Sequence, residues 1–152
     1  MLGCSSESNT AKNDDFILIF DKEKFEEEKK LWENLELKNY SFIQDYRSGT
    51  GHVWGKITVS EDFMTDFQNL HNPEDNYYRI WYGTISDIYR NVEKETNFNN
   101  YDNLENILKI ECVITYNSIY HYPELIKQDV YYKVVSYGGG GYTLKISDFK
   151  VE

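Results

Sequence analysis

The spacing of apolar positions changes several times along the chain, and each change marks an element. Phe25, Leu31, Trp32 and Leu35 converge on one side of a helix over 22–35. Asp21 stands ahead of it as an N-cap, with Phe20 and Phe25 at the two positions of a hydrophobic staple. From Tyr40 the period falls to two. Tyr40, Phe42, Gln44 and Tyr46 alternate, and so do Val53, Gly55, Ile57 and Val59. Between them Ser48-Gly49-Thr50-Gly51 is a turn signal, so the pair predicts a hairpin. Phe63, Met64, Phe67 and Leu70 predict a third strand over 63–70. Thr84-Ile85-Ser86-Asp87 is a capping box opening a second helix to about Lys94, with Ile85, Ile88, Tyr89 and Val92 as its apolar stripe. Strands follow at 108–116, 126–136 and 142–151, the last two joined by Gly138-Gly139-Gly140-Gly141.

Helix, three strands, helix, three strands predicts a two-layer α+β domain with an antiparallel sheet and two helices. The domain is expected over 16–152, behind a flexible polar leader at 1–15. Cys112 falls in the alternating series Leu108, Ile110, Cys112, Ile114 and reads as a buried strand residue. The early apolar run from Phe16 to Phe20 is far short of the ~20 residues of a membrane helix.

Charge narrows the partners. The chain has 16 basic and 26 acidic residues, a net charge of −10, and no basic stripe of the kind a nucleic-acid binder needs to displace phosphate counterions. The same charge gives no pull toward anionic lipid, so membrane contact requires an anchor. Leu2-Gly3-Cys4, followed by small polar residues, resembles the end of a bacterial lipobox. That resemblance implies lipidation of Cys4, a polar spacer over 5–15, and a place in the cell envelope, on the outer membrane if the organism has one. A lipobox follows a basic and an apolar segment, and three residues precede Cys4 here.

Candidate chemistry is sparse. The four glycines lack the Lys-Ser/Thr of a phosphate loop and lead into a strand-like segment. His52, His71 and His121 lack the close spacing of metal ligands, and no metal or cofactor is expected. Asn97, Asn99, Asn100, Asp102, Asn103, Glu105 and Asn106 offer oxygens for calcium without the spacing or glycine of an EF-hand, so a solvated loop is the expectation. Glu26, Glu27 and Glu28 point three ways on a helix and read as a solvated face. His121 has Ser118, Glu124 and Asp129 near it in sequence, and nothing orders them into a triad.

Fourteen tyrosines are the richest feature. Adjacent strand residues face opposite ways, so Tyr131 and Tyr132 cannot both be core. Tyr77, Tyr78, Trp81, Tyr131, Tyr132 and Tyr142 form the candidate binding surface, since exposed Tyr and Trp favour protein or sugar contacts.

Trp32, Tyr40-Ser41-Phe42, Ile57-Thr58-Val59, Thr84-Ile85 with Tyr89, Tyr116, Tyr122-Pro123, Ile126, Asp129 and the closing strand from Leu144 carry a family likeness. Together they resemble a group of short bacterial lipoproteins, domain of unknown function family 6174, over 22–151. The chain departs from that pattern. It has no cysteine pair at the first hairpin, and Ser60-Glu61-Asp62 stands where many members have a glycine turn. The resemblance implies no activity. The expectation is a non-enzymatic, monomeric envelope domain that binds a protein or glycan. The alternatives are an acidic inhibitor- or immunity-like module for a basic partner and, behind it, a small hydrolase built around His121.

Overall fold

Asp21 starts the first helix as the sequence predicts. Its carboxylate accepts the Lys24 amide at 2.9 Å, and the rings of Phe20 and Phe25 meet at 5.2 Å. The computed structural model describes residues 16–72, 74, 83–97, 106–134 and 140–152. Its elements are β1 (Ile17–Ile19), α1 (Lys22–Asn34), β2 (Tyr40–Ser48), β3 (Gly51–Ser60), β4 (Phe63–Asn69), α2 (Ile85–Glu95), β5 (Ile107–Tyr116), β6 (Pro123–Tyr132) and β7 (Gly140–Val151). The capping box at α2 is complete: Thr84 Oγ1 accepts the Asp87 amide and Asp87 accepts the Thr84 amide. No described helix is long and apolar enough to cross a membrane.

The expected antiparallel sheet in a helix–three strands–helix–three strands order is corrected here. The sheet has seven strands and is mixed, in the order β1-β5-β6-β7-β2-β3-β4. The run from Phe16 to Phe20 contains a strand, β1, which pairs parallel with β5 through Leu18 and Ile110. Phe16, Leu18 and Phe20 turn inward while Ile17 and Ile19 turn outward. An all-apolar run hides that alternation from a sequence reading. The remaining strands form two antiparallel meanders, β2-β3-β4 and β5-β6-β7, joined where β7 pairs with β2.

Both helices lie on one face. Trp32 and Phe25 of α1 meet Ser86 and Tyr89 of α2, and Trp32 packs edge-on against Tyr40 at 5.4 Å. The Tyr40 hydroxyl accepts the Ile85 amide, so one buried ring ties the sheet to both helices. Burial pushes that phenol up to about 12. The α1 face differs from expectation at two positions. Leu35 is exposed, and Glu28 is only 6% exposed.

Two local devices complete the covered face. Asp148, at φ 51°, sits in a β-bulge opposite β2 and shifts the alternation of β7 by one residue. The shift brings Phe149 inward against Trp32, Tyr40 and Tyr122. In β3, Gly55 leaves room for Phe67; a Cβ there would lie 2.0 Å from the ring and 3.0 Å from the Gln68 carbonyl. Gly55→Ala is therefore expected to destabilise the domain by about 1–3 kcal/mol through overpacking. Urea unfolding should show the loss shrinking when Phe67→Leu is added; equal losses in both backgrounds would place the strain elsewhere.

Candidate functional site

Register defines the face that the helices leave bare. Ile17 and Ile19 lie there on β1, Lys109, Glu111 and Val113 on β5, and Leu125, Lys127, Asp129 and Tyr131 on β6. Lys145 of β7 and Asp45 of β2 continue it to Trp54 of β3. No described element covers this face, and Val113 is 52% exposed. Carboxylates pair with three of its cations along single strands: Lys109 with Glu111, Lys127 with Asp129, and Arg47 with Asp45. Residues two apart on a strand share a face, so this spacing follows from the pleat. Ile19, Val113 and Leu125 are left as an apolar diagonal across β1, β5 and β6. An open cavity of about 580 Å³ lies beyond it, lined by Arg47, Ser48, Lys127, Asp129, Tyr131 and Thr143 among others.

The candidate tyrosines divide between the two faces. Tyr131 is 41% exposed on the bare face, with Lys109 Nζ 4.1 Å from its ring centre. Tyr132 and Tyr142 lie on the covered face, half-buried against the core. Tyr142 donates to Glu95 Oε2 at 2.7 Å and packs on Tyr46. Burial raises both the Tyr142 phenol and the Glu95 carboxyl, favouring their neutral forms. Tyr77, Tyr78, Trp81 and Cys4 lie outside the described residues, as does most of the asparagine-rich loop. Cys112 is buried, and its thiol is pushed up to about 12 by desolvation, which makes it unreactive.

His52 and His71 come together across the β3–β4 hairpin. Arg47 grips Asp45 with two hydrogen bonds, at 3.0 and 2.9 Å. Asp45 Oδ1 lies 2.7 Å from His52 Nε2, and His52 Nδ1 lies 3.0 Å from His71 Nε2. Asn69 accepts the amides of His71 and Asn72, which sets the turn that aims His71 back at β3. Trp54 stands beside His71 with ring centres 5.5 Å apart. The Arg47 guanidinium, and secondarily His52, outweigh partial desolvation and hold the Asp45 carboxyl below its usual range. Hairpin register carried this signal: Gly55 faces Asn69, which puts 52 and 71 almost opposite.

His121 also finds a carboxylate, from an element remote in sequence. Its Nδ1 lies 2.8 Å from Glu28 Oε2, while Lys24 Nζ lies 2.7 Å from Glu28 Oε1. His121 holds φ 61° in the β5–β6 turn, where its carbonyl accepts the Tyr89 hydroxyl. Among the described residues no serine, threonine or cysteine hydrogen-bonds to this imidazole, and Glu124 is engaged by Asn117 instead. The arrangement ties α1 to the turn. Desolvation raises the Glu28 carboxyl, but the bonds from Lys24 and His121 bring it below its ordinary 4.5 overall. A depressed carboxyl contributes stability that is complete above its unfolded value and lost as pH falls through its folded value. Glu28→Gln should thus cost about 1.5–3 kcal/mol at neutral pH. The deficit should narrow below the ordinary value of 4.5. Denaturation midpoints at neutral and acid pH check this; a constant deficit would contradict it.

Among the described residues, no group of three or more His, Cys, Asp or Glu side chains is arranged around a metal position. No family model and no curated protein matches the chain.

Proposed function

We propose that this chain is a non-catalytic binding domain of the bacterial cell envelope, anchored through a lipid on Cys4, that meets a protein or glycan with the bare face of its sheet. The apolar diagonal of Ile19, Val113 and Leu125 carries the proposal. Exposed apolar residues set among paired charges suit an interface, because contact releases apolar area from water while the pairs present no strong field of one sign. Tyr131 and the cavity beside it extend the same surface with an aromatic ring and polar groups suited to a sugar or a peptide. The lipobox-like leader at Leu2-Gly3-Cys4 supports the envelope location.

A second reading follows from the net charge of −10, which suits a basic partner; on α1, exposed Glu23 and Glu33 stand beside Glu26 and Glu27, which pair with Lys22 and Lys24. Paired variants separate the two. Val113→Ser with Leu125→Ser should abolish recovery of the partner from envelope extract at unchanged thermal stability. Glu23→Lys with Glu27→Lys should leave recovery intact. The reverse pattern would transfer the interface to α1, and equal recovery by both variants would refute the sheet-face proposal.

A further inference from the structure

We propose that His52 Nδ1 and His71 Nε2 form a two-imidazole clamp for a late first-row divalent metal ion. The proposal is independent of the apolar diagonal. Two nitrogens bound to one ion at ~2.0–2.1 Å lie about 2.9 Å apart at a right angle and about 3.3 Å apart at the tetrahedral angle. The observed separation is 3.0 Å. An N–H···N hydrogen bond has the same length, so the separation does not choose the ion; it lets the two nitrogens take neighbouring positions of a square or octahedral ion, the geometry of nickel(II) and copper(II) with imidazole ligands, without moving apart.

The surroundings are those of a metal-binding histidine. A ligating imidazole usually gives its other N–H to a carboxylate, which fixes the tautomer and raises ligand basicity. Here His52 presents Nε2 to Asp45 at 2.7 Å, leaving Nδ1 to face His71. Arg47 holds Asp45 from both oxygens, so the carboxylate cannot swing into the ion's first shell without losing its fork. His71 is fixed by the Asn69 turn and flanked by Trp54.

Without metal, His71 Nε2–H donates to His52 Nδ1, given that His52 keeps its other proton for Asp45. Metal entry exchanges this proton. It moves through solvent from Nε2 to Nδ1 of His71, both imidazoles stay neutral, and both lone pairs turn to the ion. Water fills the remaining coordination positions, since two side chains supply only two ligands.

Nickel chloride added to the full chain tests the clamp, followed by NMR of the imidazole resonances. At stoichiometric metal, the His52 and His71 signals should broaden together while those of His121 stay sharp. His71→Ala should weaken binding at least about tenfold, and Asp45→Asn should weaken it by about 10–100-fold with His71 still the site of broadening. His121→Ala should bind as the parent does. Circular dichroism confirms that each variant is folded. Broadening that leaves His52 or His71 untouched, or equal affinity in His71→Ala, would overturn the proposal.

Discussion

Two helices cover one face of a seven-stranded sheet, and that inequality constrains every strand. Each must place its large side chains on the helix side and tolerable ones on the other. Tyr40 sits where the constraint converges, packed on Trp32 and Phe149 and accepting the first amide of α2. Ring pairs of this kind add to area burial. They also explain why the bulge at Asp148 matters. Without the shift in β7, Phe149 would point away from the ring that joins both helices.

The bare face follows from the same inequality. It cannot be strongly apolar without aggregating, and it cannot carry unpaired charge of one sign at close spacing. The chain meets this with cation–carboxylate pairs set two residues apart, each worth little energetically but balancing charge locally. The exposed Ile19, Val113 and Leu125 stand out because they have no such partner chemistry. On the opposite side, Glu28 is the costly exception, a carboxylate taken under α1 and held there by Lys24 and His121.

Local pattern was legible and distant pairing was not. Both helix caps, the staple and the first hairpin could be read because each is written within a few residues; β6, expected over 126–136, runs Pro123–Tyr132, entering the sheet at the Tyr122-Pro123 step. Strand β1 could not be read, because Ile17 and Ile19 interrupt the polar–apolar contrast and its partner residues on β5, such as Lys109 for Ile17, lie far along the chain. The burial of Glu28 was hidden for the same reason, its imidazole partner being 93 residues away. Tyr131 and Tyr132 could be placed on opposite faces from the pleat, but which one met solvent depended on where the helices docked. The His52–His71 pair lay between these cases. Its residues are 19 apart, and counting back from the Ser60-Glu61-Asp62-Phe63 turn would have joined them.

The proposed role requires a solvent-facing sheet surface that becomes covered when the domain is at work. Hydroxyl-radical footprinting compares the purified chain with the same chain in the bacterial envelope proposed for it. Val113, Leu125 and Tyr131 should be modified readily in the purified chain and protected in the envelope, while buried Trp32 and Phe42 resist modification in both. Protection of Val113 and Leu125 in the purified chain, or their equal modification in both settings, would contradict it.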